Sequence, residues 1–590
     1  MGFDRSLVYF SILLCWSFVP VMSQSAAAIA YTPVLAPCPP GVELVRLAGN
    51  QSQSLSADES TYISTRRRDV LPAAFSAYLD NVVHATDAQL PSYVHDILTG
   101  YQGADAFPNL GIAVSGGGYR AAVFGAGVLH ALDGRNSSSA AAGTGGLLQG
   151  ASYLSGLSGG SWLVGSLAQA NFPTIPDLVF GASDVGPNGF GGWLAEIDIV
   201  EVSTNASVTL AYEQAAVDEG MGKYALGFPV TLSDSLARLY SRHFVNGTNV
   251  TNILDLDLTH GAGVTFSSVA DTSSFRAHMQ PFPILVADSL SVDVNTSAML
   301  NFTDVVVPLS NPVYEFNVFE MGSFDPMLSA FTPMKYLGSP NNSICVTNFD
   351  QMSFIESASS SQGAVAGQTI ETQGRSSDPD PPPNPNQAVP TALIPNPFFG
   401  VAHGTFIDAV EPLLNLGDGS LNGEMVPLQP LLVKARGIDV ILVIDAANQT
   451  DISNNFADGT SLIATQQRVS MFQTYYSFPP VPTSPSTFLS QNLTKYPTFF
   501  GCNTDLSAPL LIYLANVDQM NAMLAQTFDI ATQGIPAEPA LPSANCQTAL
   551  EKDPEWPACL ACAVVDRARS KVGEERSGVC TKCLAKYCWS

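Results

Sequence analysis

Two glycine-rich turns constrain this chain more than anything else in it: Ser115-Gly116-Gly117-Gly118-Tyr119-Arg120 and Gly156-Leu157-Ser158-Gly159-Gly160-Ser161-Trp162. Each follows an apolar, strand-like run and precedes an Ala/Leu/Val-rich run of helical character. Such a strand–glycine–helix succession puts unpaired N–H groups at a helix start, where an anion is welcome. Glycine lets the backbone turn at positive φ and come close to a ligand. The second turn fits Gly-x-Ser-x-Gly, the sharp elbow that lifts a serine hydroxyl into a pocket. The first turn is therefore expected to cradle an anion and the second to supply a nucleophile. Leu147 to Leu154 reads as the strand feeding the elbow, and Ser161 to Gln169 as the helix leaving it.

The surroundings fit a layered fold. Ser56-Ala57-Asp58-Glu59 resembles a helix entry, and Val70 to Val83 is apolar at helical intervals. Ile438 to Asp445 and Pro509 to Leu514 read as buried strands. Strands interleaved with helical patterns predict an α/β architecture, a central β-sheet flanked by helices. Residues 172–340 mix short apolar runs with turn formers and read as inserted, lid-like cover for the site. Residues 357–390, ending in a proline-rich run, are expected to form an exposed, mobile loop inside a single domain spanning 38–590.

Composition narrows the setting. A formal charge of −27 excludes a nucleic-acid partner, which needs basic surface. Residues 1–23 carry Arg5, an apolar stretch and then small polar residues, as a secretory signal peptide does. No later stretch reaches the roughly 18 apolar residues of a membrane helix, and the end of the chain lacks the apolar tail of a GPI signal. A secreted, extracellular product is expected. Sequons at Asn50, Asn136, Asn205, Asn246, Asn249, Asn295, Asn301, Asn341, Asn448 and Asn492 agree with that route. Of ten cysteines, Cys15 falls in the leader and nine remain, an odd number that leaves one thiol over. Cys559, Cys562, Cys580 and Cys583 have the spacing of a zinc ribbon, but the secretory route favours disulfides, and no metal is expected.

A nucleophilic serine needs a base. Among seven histidines only His403 lies late enough for the usual Ser, acid, His order, and its glycine-flanked setting reads as an ordinary loop. Asp418, in Asn415-Leu416-Gly417-Asp418-Gly419-Ser420, is the carboxylate alternative, and its own pattern is equally that of a solvated turn.

At this point a family resemblance enters. The two glycine turns resemble those of the secreted fungal phospholipase B (lysophospholipase) family, related to the cytosolic phospholipase catalytic domain and more distantly to patatin. So do Cys38-Pro39-Pro40-Gly41, Phe324-Asp325-Pro326, Lys335-Tyr336-Leu337-Gly338, Phe499-Phe500-Gly501-Cys502-Asn503 and Tyr587-Cys588-Trp589. The resemblance implies a Ser-Asp dyad without a catalytic histidine: Ser158 as nucleophile, Asp418 as base, the Gly117 and Gly118 amides as oxyanion hole and Arg120 as phosphate-binding side chain. It implies phospholipid and lysophospholipid substrates at membrane or micelle surfaces, and no cofactor. The family usually follows the aspartate with two glycines and an acidic pair, whereas this chain has Gly419-Ser420-Leu421-Asn422. Rival readings are an esterase for other esters and an inactive lipid-binding glycoprotein.

Overall fold

The computed structural model describes residues 25–49, 51–182, 190–245, 248–291, 296–301, 305–340, 344–361, 391–447, 457–503, 506–516 and 553–589. The signal-like residues 1–23 lie outside that set, as do Cys546 and the sequons at Asn50, Asn246, Asn295, Asn341 and Asn448.

Six strands build the part of the sheet that matters for the site: β1 (Leu110–Val114), β2 (Ala151–Gly156), β3 (Phe282–Ser289), β4 (Leu413–Asp418), β5 (Val440–Asp445) and β6 (Leu510–Ala515). Five of them, in the order β6-β5-β1-β2-β3, are parallel. β5 and β6 read Val-Ile-Leu-Val-Ile-Asp and Leu-Leu-Ile-Tyr-Leu-Ala and are buried at every residue, as strands covered on both faces must be. Beyond β3 the sheet continues antiparallel through Val313–Asn317, Glu320–Ser323, Ala330–Pro333 and Arg46–Leu47.

β3 is long enough to serve two neighbours. Phe282 to Leu285 pair with β2, and Ala287 to Ser289 pair antiparallel with β4. β4 thus extends the sheet where β2 has already turned away into the elbow. Helices α1 (Gly118–Leu132), α2 (Gly159–Gln169) and α3 (Met352–Ser360) pack in sequence, α1 on α2 and α2 on α3.

The N-terminal residues join this body. Ser56 caps the helix Ala57–Asp69 by accepting from the Glu59 N–H, and the helix Leu71–Ala85 follows. Four disulfides tie distant segments: Cys38–Cys345, Cys502–Cys588, Cys559–Cys583 and Cys562–Cys580. The ribbon-spaced cysteines are therefore in disulfides, as expected, and the structure pairs them with one another. Of the nine cysteines beyond residues 1–23 only Cys546 is left, outside the described residues. No helix among the described residues is long and apolar enough to cross a membrane.

Three expectations need correction. Leu147–Gly150 is a single helical turn, and the feeding strand starts only at Ala151. Leucine and glycine carry no strand preference strong enough to override a turn that packs against the helix Leu71–Ala85. The stretch 172–340 is not only cover: it holds β3 and three further strands of the sheet. Finally, Ser357 to Ser360 are the last residues of α3 and, with Ser361, are buried. Only 362–390 of the expected loop lies outside the described residues.

Candidate active site

Ser158 stands between β2 and α2 at φ 51° and ψ −128°, a conformation that costs a non-glycine residue about 1–3 kcal/mol. The turn holds itself in that shape. Gly160 N–H donates to the Leu157 carbonyl at 2.9 Å, while Ser161 N–H and hydroxyl both donate to the Ser158 carbonyl, at 2.8 and 2.6 Å. The neighbouring glycine is required by space. A Cβ on Gly159 would lie 2.0 Å from the Gly118 carbonyl oxygen. The two glycine turns are thus packed backbone against backbone, which no larger residue permits.

That contact brings the first turn to Ser158. A Cβ on Gly116 would lie 3.0 Å from Ser158 Cβ and 3.5 Å from its Oγ. Gly117 adopts φ +129° as the cap of α1, and Gly118 begins the helix. Neither N–H has an acceptor among the described residues, as expected of orphan donors at a helix start. Arg120, in the first turn of α1, donates from Nε to the Ala446 carbonyl at 2.9 Å and is half-buried. Burial lowers its pKa, and the Asp445 carboxylate at the end of β5 works against that. Asp445 is itself pushed up to about 6, chiefly by burial.

Asp418 arrives from far along the chain, at the end of β4, opposite Ala287 of β3. It is fully buried. Its Oδ1 accepts from Ser420 twice, from the N–H at 2.9 Å and the hydroxyl at 2.7 Å. Its Oδ2 makes no hydrogen bond among the described residues. Burial raises the carboxyl pKa to about 6, against the opposing pull of the Ser420 hydroxyl, then Ser158, then the Ser420 N–H. The Ser158 hydroxyl is thus near enough to favour the charged carboxylate without meeting hydrogen-bond geometry.

One element joins the two sides, and its role was not among the sequence-based expectations. The Ser359 carbonyl, in the last turn of α3, accepts from Ser158 N–H at 2.9 Å and from Gly419 N–H at 3.2 Å. Two residues on, the Ser361 carbonyl accepts from Asp418 N–H at 3.3 Å. The free carbonyls of one helix end therefore set the elbow and the aspartate side by side. The serine-rich composition that suggested a loop is what lets this helix pack closely. The Ser359 hydroxyl reaches the Val286 carbonyl at 2.6 Å, and Ser360 accepts from Trp162 Nε1 at 3.1 Å. Tyr240 lies near both Ser360 and Asp418. A serine run flanked by Met352, Phe354 and Ile355 was the available clue.

His403 is exposed on a turn and bonds to neither Ser158 nor Asp418 among the described residues. Those residues also hold no cluster of three or more His, Cys, Asp or Glu able to bind a metal.

Residues 110–590 match the model of the lysophospholipase catalytic domain. The chain belongs to the lysophospholipase family. Lysophospholipase 3 of Aspergillus fumigatus is 33% identical over 95% of this chain and 88% of its own. A lysophospholipase of Penicillium chrysogenum is 32% identical over 95% and 90%, and lysophospholipase 3 of Candida albicans 30% over 95% and 74%. Human GIVD cytosolic phospholipase A2 has a similar fold, with a TM-score of 0.53 at 18% identity over 93% of this chain and 69% of that one.

Proposed function

We propose that the protein is a secreted lysophospholipase/phospholipase B that cleaves fatty acyl esters of glycerophospholipids through a Ser158–Asp418 dyad, within one catalytic unit spanning 38–590. The observation that carries this reading is the shared Ser359 carbonyl, which holds a strained serine and a buried carboxylate together. Ser158 Oγ attacks the ester carbonyl carbon while Asp418 takes the hydroxyl proton. A carboxylate at its ordinary pKa near 4 is a weak base for a hydroxyl, and burial raises Asp418 to about 6. The orphan N–H groups of Gly117 and Gly118 receive the developing oxyanion, a contribution of about 3–4 kcal/mol per donor. Arg120 pairs with the lipid phosphate and fixes the ester near Ser158. The glycerol oxygen leaves with the proton. Water then attacks the acyl-enzyme with Asp418 again as base, releasing the fatty acid. The four disulfides support an oxidising, extracellular location.

The test is Ser158→Ala against wild type on lysophosphatidylcholine, diacylphosphatidylcholine and a triglyceride, with fluorophosphonate labelling alongside. Loss of both lysophospholipid turnover and labelling, by about 10³-fold or more, is expected. Retained turnover removes Ser158 from the chemistry. Turnover of triglyceride alone turns the reading towards a general esterase, and a wild type that neither turns over nor labels is a binder.

A further inference from the structure

Ser420 lies two residues after Asp418, and the geometry gives its hydroxyl a task. Asp418 Oδ1 is occupied by two donors from the same residue, the Ser420 amide and the Ser420 hydroxyl, while Oδ2 has no partner among the described residues. We propose that Ser420 is a positioning residue: its hydroxyl locks one carboxylate oxygen of Asp418 and so leaves the other to face the Ser158 hydroxyl. A glycine at this place supplies the amide and nothing more.

The loop itself does not depend on that hydroxyl. Leu421 N–H donates to the Asp418 carbonyl at 3.1 Å, Gly423 N–H to the Ser420 carbonyl at 2.9 Å, and Asn422 N–H to Asp288 Oδ2 at 2.8 Å. Val306 and Val307 both donate to the Leu421 carbonyl at 3.0 Å. Backbone bonds on every side place Ser420, so removing one oxygen atom leaves the turn standing.

The inference rests on Asp418 being the base, and it has a signature in pH. The titratable groups facing Asp418 are Asp288 on β3 and Tyr240 at the end of the helix Leu232–Tyr240, besides Ser158 and Ser420. Asp288 is pushed well up by burial, with Asp418 one of the smaller contributors. Burial likewise holds the Tyr240 phenol at about 12, so Tyr240 stays neutral through the working range. A hydroxyl donating to the carboxylate favours its charged form and lowers its pKa. Taking the hydroxyl away raises the pKa, and the acid limb of activity moves to higher pH.

The experiment measures kcat/KM on lysophosphatidylcholine micelles, and the rate of fluorophosphonate labelling, from pH 4.5 to 9 for wild type, Ser420→Ala, Ser420→Gly and Ser420→Thr. In Ser420→Ala and Ser420→Gly the acid limb is expected to rise by about one pH unit. Activity on that limb then falls about tenfold, much more than on the alkaline plateau. Ser420→Thr, which keeps the hydroxyl, is expected to hold the limb near wild type. A plateau that drops while the limb stays in place overturns the assignment and makes Ser420 a packing residue. Asp418→Asn separates the layers. If it is inactive while the Ser420 variants leave the limb unmoved, only this inference falls. If it retains turnover, the dyad falls too.

Discussion

In the elbow, the bonds that close the bend around Ser158 come from the next three residues, one other glycine turn packs against it, and a single long-range bond joins Ser158 N–H to the Ser359 carbonyl. Gly160 and Ser161 close the bend, and Gly159 admits the backbone of Gly118. In the carboxylate loop almost nothing that holds Asp418 in register with Ser158 is local. Its strand pairs with the far half of β3, its amide bonds to Ser361, and its neighbour's amide bonds to Ser359. Only the bonds from Ser420 and Leu421 are near in sequence. The contrast teaches that the proposed nucleophile is built largely as a local turn, whereas its proposed base must be delivered by packing. A strained turn needs short-range bonds to persist, and a buried carboxyl needs an enclosure that only distant segments provide.

Three substitutions test this difference. The largest effect is expected from Asp418→Asn, which keeps the shape and removes the base. Turnover should fall by about 10³- to 10⁴-fold, with an unchanged melting temperature showing that the enclosure survives. A variant with near wild-type turnover would mean that the packed side is scaffolding only. Next is Gly159→Ala, where the new Cβ meets the Gly118 carbonyl oxygen at 2.0 Å. The elbow and the first turn must part, and we expect about 3 kcal/mol less stability with about 100-fold less turnover, read by denaturant unfolding and a lysophospholipid assay. Full activity would show that the two turns act independently.

The smallest effect is expected at Glu356, on the packed side. Its carboxyl is fully buried, neither oxygen has a hydrogen-bond partner among the described residues, and a Cβ on Gly165 of α2 would lie 2.4 Å from Oε1. Burial raises its pKa well above the ordinary value. A group whose folded pKa is raised contributes its stability below the unfolded pKa and loses it as pH rises towards the folded one. Glu356→Gln removes that proton dependence, so the melting temperature should fall less between pH 5 and pH 8 than in wild type. Identical slopes would show that the α2–α3 contact tolerates the charge.

Much of the left-hand side of this comparison was legible in the chain. Gly156 to Trp162 with its flanking runs announced the elbow, and Ile438 to Asp445 and Pro509 to Leu514 announced β5 and β6, because period and turn chemistry are short-range properties. Asp418 stood equal to a solvated turn until a family resemblance was admitted. The serine run at the end of α3 was misread for the same reason: its helix is stabilised by what it packs against, since serine by itself favours turns and caps. The strands within 172–340 were obscured by the turn formers between them.

By itself, then, the sequence determined the serine elbow, the glycine-rich helix start, two buried strands and the preference for disulfides over zinc, all of which depend on residues close together in the chain or on composition. Only the tertiary structure decided which carboxyl meets Ser158, that Ser359 and Ser361 bring the pair into register, and which cysteines join. Those choices are made by burial and by bonds between segments separated by hundreds of residues, and no local pattern records them.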